Sequence, residues 1–212
     1  MSIFENRDCM DAMRNMPDKA FDLAIVDPPY GYRSNNTAIL NFRKASADNW
    51  NTAPSSEYWK ELERVSQHQI VWGGNYFPEL WARGSCRGFI IWYKQNPVPN
   101  FADCELAWSS FDRNAQVIKY RYYGNHEGAT TKAPNVFHPT QKPVELYRYI
   151  LREYAKPGWT ILDTHVGSGS SLIACEELGY EYAGYEINQD YYEKASKRLK
   201  TAQLGLFSEA VL

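Results

Sequence analysis

The stretch from Trp159 to Leu199 constrains the chain most. Trp159 to Leu162 reads as a strand, and Asp163-Thr164-His165-Val166-Gly167-Ser168-Gly169-Ser170 reads as a turn of small residues. A helix is expected from about Ser171 to Leu178, stopped by Gly179. Tyr182 to Ile187 reads as the next strand, and Asn188 is placed to cap a last helix running through Leu199. Strands joined by helices lie parallel, because the helix carries the chain back to the end where the first strand began. This unit is one half of a doubly wound, mostly parallel α/β sheet, so the other strands must come from the N-terminal portion.

That portion supplies them. Phe21 to Val26 is an apolar strand closed by Asp27-Pro28-Pro29-Tyr30, and Gln69 to Trp72 is a strand closed by Gly73-Gly74-Asn75. Phe89 to Trp92 is a third candidate, and Glu57 to Val65 reads as helix. Leu146, Ile150, Leu151 and Tyr154 fall at helical spacing, which predicts a helix from Pro143 to Tyr154 with the proline in its first turn. Tyr32 to Ser56 is polar and aperiodic and is expected to be a long mobile loop. No repeat or low-complexity run interrupts the chain.

Two turns carry chemistry. Gly167 and Gly169 let the backbone bend tightly and approach a ligand, and Glu186 lies at the end of the next strand, placed to accept hydrogen bonds from ribose hydroxyls. Leu172 stands where a dinucleotide fingerprint needs its third glycine, which argues for a nucleoside cofactor without that pyrophosphate. A tight structural turn with a surface glutamate is the plainer alternative. At the other turn, Asp27 and the Pro28 carbonyl are two acceptors held stiffly by the proline rings. A base's exocyclic amine is a poor nucleophile because its lone pair is spread into the ring. One acceptor on each N–H draws that pair back onto nitrogen, and Tyr30 can stack on the extracted base. A simple Asp-Pro-Pro turn is the alternative here. Both turns follow strands, so both belong to the carboxyl edge of the sheet, where such sheets bind ligands.

The 212 residues suffice for one domain with a real core, and a formal charge of −2 favours no polyanionic partner by itself. Between Phe111 and Arg148, however, Arg113, Lys119, Arg121, Lys132, Lys142 and Arg148 outnumber Asp112, Glu127 and Glu145, with tyrosines interleaved. That suits contact with phosphates and bases, and also a plain solvated loop. Cys9, Cys86, Cys104 and Cys175 are dispersed, without metal-ligand spacing or a disulfide framework, so a reducing cytoplasm and no metal are expected. No stretch reads as a signal peptide or a membrane span.

In this order the motifs resemble the DNA amino-methyltransferases, in the permuted class whose catalytic tetrapeptide precedes the cofactor loop. The resemblance rests on Asp8-Cys9 followed by Asp27-Pro28-Pro29-Tyr30, on His138-Pro139-Thr140-Gln141-Lys142-Pro143, and on Asp163 to Gly169 with Glu186. Gly73-Gly74-Asn75-Tyr76-Phe77 and Trp92-Tyr93-Lys94 also fall in familiar places, so the likeness runs from about residue 5 to residue 200. It implies a Rossmann-like methyltransferase fold over residues 1–200, S-adenosylmethionine as cofactor and double-stranded DNA as substrate. It also implies that Asp27, Pro28, Pro29 and Tyr30 hold and activate the target amine. Asp163, Gly167, Ser168 and Gly169 would hold the methionine part of the cofactor, Glu186 its ribose, and Asp8 with the Cys9 backbone its adenine. Lys142, with Thr140, would lie near the methionine carboxylate or help close the site; a surface lysine at a helix start is the alternative.

The sequence departs from the family in two places. Thr164-His165 replaces the usual Pro-Phe, so His165 is expected to line the cofactor site without a chemical role. The target-recognition segment, residues 112–137, is short, which implies a short or relaxed DNA site, with residues 32–56 as a second contact or lid. Aspartate at position 27 accompanies N6 of adenine more often than N4 of cytosine in this family. Cytosine N4, a structured RNA, and an idle DNA-binding module remain the rivals. The likeness further implies a bacterial or phage-encoded protein of the restriction–modification type, with homodimerisation left open. In the tail, residues 201–212, Gln203-Leu204-Gly205-Leu206-Phe207 resembles the peptide that docks on the replication sliding clamp; packing onto the core is the alternative.

Overall fold

The computed structural model describes residues 2–31, 52–83, 87–95, 102–122, 136–138 and 140–209. Residues 32–51 of the expected loop and 123–135 of the expected recognition segment lie outside them. In chain order the elements are β1 (Ile3–Asn6), α1 (Cys9–Met13), β2 (Phe21–Val26), α2 (Ser56–Val65), β3 (Ser66–Trp72), a 3-10 turn (Gly74–Tyr76), α3 (Pro78–Trp81), β4 (Ile90–Tyr93), β5 (Cys104–Ser109), β6 (Gln116–Lys119), α4 (Val144–Tyr154), β7 (Thr160–Asp163), α5 (Ser170–Leu178), β8 (Glu181–Glu186) and α6 (Gln189–Glu209). The strands form one eight-stranded sheet in the order β1-β8-β7-β2-β3-β5-β4-β6. Every pairing is parallel except those of β5, which runs against both β3 and β4.

Burial explains why β2 is apolar without alternation. Leu23 and Ile25 enter the core on one face, while Ala24 and Val26 enter the core on the other. A parallel strand covered on both sides has no solvent face to fill with polar residues. Helix α4 buries Leu146, Ile150 and Leu151 in the first core beside α5, and each such side chain contributes about 1.5–3 kcal/mol of apolar burial.

The structure differs from the expected elements at Pro143, at three strands and at the end of α6. Pro143 is extended (φ −70°, ψ 148°) and precedes α4 as its cap residue; its carbonyl accepts from the Leu146 amide. Strands β1, β5 and β6 were not anticipated, and β6 builds residues 116–119 of the supposed recognition segment into the sheet beside β4. Helix α6 runs past Leu199 to Glu209, so Gln203 to Phe207 are helical instead of extended. Gly205 costs a helix only about 1 kcal/mol and does not end it. The Gln203 side chain donates to Glu176 Oε1 at 2.7 Å, so the clamp-docking peptide in its extended form is not what this chain presents.

Strand order reverses between β7 and β2. From β7 the chain crosses through α5 to β8 on one side, and from β2 through α2 to β3 on the other. The two central strands are parallel, with Ala24 level with Leu162, so the turns that begin at Asp27 and just after Asp163 both emerge at the reversal. That crevice is where open α/β sheets bind their ligands.

Candidate active site

Asp27 leaves β2 into a cluster of rings and charges. Its Oδ1 accepts from the Tyr30 hydroxyl at 2.7 Å, and its Oδ2 accepts from Lys142 Nζ at 2.5 Å. The Tyr30 ring stacks on Tyr76 (4.9 Å between centroids, 19° between planes) and meets Phe77 edge-on. Burial, with the Asp27 charge beside it, pushes the Tyr30 phenol well above its usual range, so it stays a donor. Pro28 is buried behind it.

Lys142 is only 3% exposed, so it is no surface lysine. Besides Asp27 it meets Glu105 Oε2 at 3.1 Å, and its ammonium lies 5.4 Å from the centre of the Trp72 ring. Burial opposes its charge, but Asp27 and Glu105 outweigh burial and hold its pKa above the ordinary lysine value. Burial likewise opposes the Glu105 charge, yet Lys142 and Lys94 bring that carboxyl down to about 2. Lys94 pairs with the other Glu105 oxygen. The four charges alternate, Asp27–Lys142–Glu105–Lys94, and removing one partner from such a buried pair costs about 3–5 kcal/mol. Lys142 thus lies at the Asp27 corner, held between Asp27 and Glu105. Sequence reasoning missed Glu105 altogether. It opens β5, and only because β5 is reversed does a strand's beginning fall at the carboxyl edge.

Across the crevice, Gly167 (φ 55°) and Gly169 (φ 80°) adopt left-handed backbone that disfavours other residues. The Gly167 amide donates to Glu186 Oε2 and the Asn188 amide to Glu186 Oε1, both at 2.8 Å, so the acid is fixed by the loop it serves. Burial raises the Glu186 carboxyl above its ordinary range. Asp163 is buried; it accepts from the His165 amide at 2.9 Å and from the Ser171 hydroxyl, and burial lifts its pKa to about 7. Arg198 braces the loop from α6, donating to Ser168 O and Ser170 Oγ at 2.9 Å, and Ser170 Oγ donates to the Lys142 carbonyl at 2.7 Å. His138 packs over Gly167, where a Cβ would come within 3.3 Å of its ring. Thr140 is exposed and bonds to His138 Nδ1 at 3.3 Å, so it reaches the loop only through that ring.

A cavity beside the loop is lined by Arg7, Asp8, Cys9, Thr164, His165, Tyr185, Glu186 and Ile187. It gathers Asp8, Cys9, His165 and Glu186, but not Asp163, Thr140 or the glycines. Asp8 also caps α1 through the Met10 amide. Burial, with Asp8 beside it, raises the Cys9 thiol to about 12, and burial lowers His165 to about 4, so both are neutral at pH 7. Among the described residues, no cluster of His, Cys, Asp or Glu could hold a metal ion, and no helix is long and apolar enough to cross a membrane.

Residues 111–197 match the family model described as DNA methylase. The chain is 25% identical to the putative methylase YubD of Escherichia coli K12, over 97% of this chain and 93% of that protein. It is also 25% identical to the type II methyltransferase M.HinfI of Haemophilus influenzae, over 91% of this chain and 67% of that one. The M1.HpyAVI–SAM complex superposes with a TM-score of 0.61 at 21% identity, covering 93% of this chain and all of the other (100%). PvuII DNA methyltransferase (cytosine-N4-specific) superposes with a TM-score of 0.63 at 10% identity, covering 95% of this chain and 91% of that one. These matches bear out the resemblance to DNA amino-methyltransferases and the doubly wound fold.

Proposed function

We propose that this chain transfers a methyl group from S-adenosylmethionine to N6 of adenine in double-stranded DNA, on a base rotated out of the helix. One observation carries the reading. The Asp27 corner follows β2 and the Gly167 loop follows the adjacent β7, at the point where strand order reverses, and Glu186 at the end of β8 accepts from that loop.

The residues fit the cofactor. Glu186 ends β8 beside the cavity, where its carboxylate can take ribose hydroxyls, and Asp8, Cys9 and Ile187 line the place for an adenine. Asp163, Gly167, Ser168 and Gly169 shape the loop for the methionine part. When bound, S-adenosylmethionine supplies an electrophilic methyl carbon on a sulfonium. Opposite it, Asp27 and the Pro28 carbonyl each accept one N–H, Pro29 stiffens the turn, and Tyr30 stacks on the base. Localised by those acceptors, the nitrogen lone pair would be ready to accept the methyl group that the cofactor would supply. The resulting ammonium is stabilised by Asp27 and loses its extra proton through that carboxylate to water.

Cytosine N4 is the second reading, favoured by the likeness to PvuII methyltransferase, since both amines present the same two N–H groups. The curated relatives are bacterial proteins, and the cytoplasm is the natural place for the reaction. The test is label transfer from methyl-labelled S-adenosylmethionine to DNA, RNA and protein, followed by chromatography of the nucleosides. Label in N6-methyl-2′-deoxyadenosine from DNA supports the proposal. Label only in N4-methyl-2′-deoxycytidine supports the second reading, and label only in RNA or protein overturns both.

A further inference from the structure

The amine-activating corner is occupied by its own side chains. Tyr30 holds one oxygen of Asp27 and Lys142 holds the other. Methyl transfer also creates a positive charge on the amine nitrogen, next to that same carboxylate. With Lys142 still on Asp27, two cations would stand about 5 Å apart in a protein interior, a repulsion that slows the reaction by roughly a hundredfold. Lys142 cannot simply withdraw, because a buried ammonium without a counter-ion is costly.

We propose that Glu105 is the second seat of Lys142: as the target amine docks, the ammonium passes from Asp27 to Glu105, leaving Asp27 to accept the N–H and face the growing charge. This rests on the methyl-transfer reading. Glu105 Oε2 already lies 3.1 Å from Lys142 Nζ, so the passage is a side-chain movement alone. Lys94 pairs with the other Glu105 oxygen, which keeps that acid ionised and in place. The Lys142 backbone is anchored separately, since its carbonyl accepts from Ser170 Oγ and its chain enters α4 through Pro143. Glu105 is therefore a positioning residue that acts through Lys142 and never touches the base.

The test measures single-turnover rate, DNA KM and cofactor affinity for the wild type, Glu105→Gln and Glu105→Asp, each also in a Lys142→Met background. Glu105→Gln is expected to slow methyl transfer by about ten- to a hundredfold. DNA KM and cofactor affinity should stay within about threefold, and Glu105→Asp should recover part of the rate. With Lys142→Met the same Glu105→Gln change should cost less than about twofold, because no ammonium remains to be seated. An unchanged rate in Glu105→Gln, or an equal loss in both backgrounds, overturns the proposal. If Glu105→Gln alone melts below the assay temperature, Glu105→Asp is compared in the two backgrounds instead: a loss that vanishes with Lys142→Met supports the proposal, and an equal loss in both, or none in either, overturns it. A wild type that methylates DNA with an indifferent Glu105 sinks the second seat only; a wild type that methylates no amine sinks both.

Discussion

A Cβ atom on Gly73 would lie 2.2 Å from a ring carbon of Tyr30. Tyr30 is therefore clamped between a bare backbone on β3's exit and the Tyr76 ring stacked on it. Gly73 also has φ 67°, so a larger residue there is strained twice, in its backbone and against the ring. Gly73→Ala is expected to lower stability by about 1–3 kcal/mol and to displace Tyr30. Methyl transfer should fall at least about tenfold while cofactor affinity holds, since the cavity lies across the crevice. Denaturant melts with kinetics check it, and normal turnover would show that the clamp has no part in the reaction.

Asp163 makes stability depend on pH in a defined sense. Burial raises its folded-state pKa to about 7, against about 4 in the unfolded chain. The folded state then holds the extra proton between those values. Its stabilising contribution is complete below about pH 4 and is lost as pH rises through about 7. The His138 and His165 rings, each lowered by burial to about 4, act oppositely over part of the same range. The difference between Asp163→Asn and wild type isolates the aspartate. It should move in the variant's favour, on the order of 3 kcal/mol, as pH goes from 4 to 7. A flat difference in urea melts across that range would contradict the buried, protonated carboxyl.

Glu186 fixes the glycine loop and, in the proposed function, takes the ribose. Its two oxygens each take a backbone amide, from Gly167 and from Asn188. Glu186→Gln keeps the shape but removes the charge and offers one oxygen where two were used. Cofactor affinity should weaken by about 10- to 100-fold in titration calorimetry, with DNA binding unaffected. Undiminished affinity would remove Glu186 from the cofactor site.

The parts of this fold that sequence reveals are those governed by local chemistry. β2 announces itself because both its faces are buried, α5 because Gly179 stops it in left-handed backbone, and the crevice because two strands end in loop chemistry. What was hidden depends on pairing at a distance. β1 and β6 are four-residue edge strands with exposed positions and little pattern. Glu105 looks like an ordinary strand-start acid until the reversal of β5 places it against Lys142 and Lys94. Lys142 reads as a helix-start lysine, because nothing near it in sequence shows that Asp27 is its partner. Helix α6 continues ten residues past Leu199, through Gly205, to Glu209.

The central claim is that the Asp27 corner delivers an activated base amine to a methyl donor across the crevice. Long-read sequencing of DNA from cells expressing the wild type and Asp27→Ala tests it most directly, reporting base, context and activity together. Calorimetry first establishes that the variant still binds the cofactor. The expected result is N6-methyladenine in one or a few short sequence contexts with the wild type and none with Asp27→Ala. Unmodified DNA from wild-type cells, or the same modification from Asp27→Ala, would contradict it.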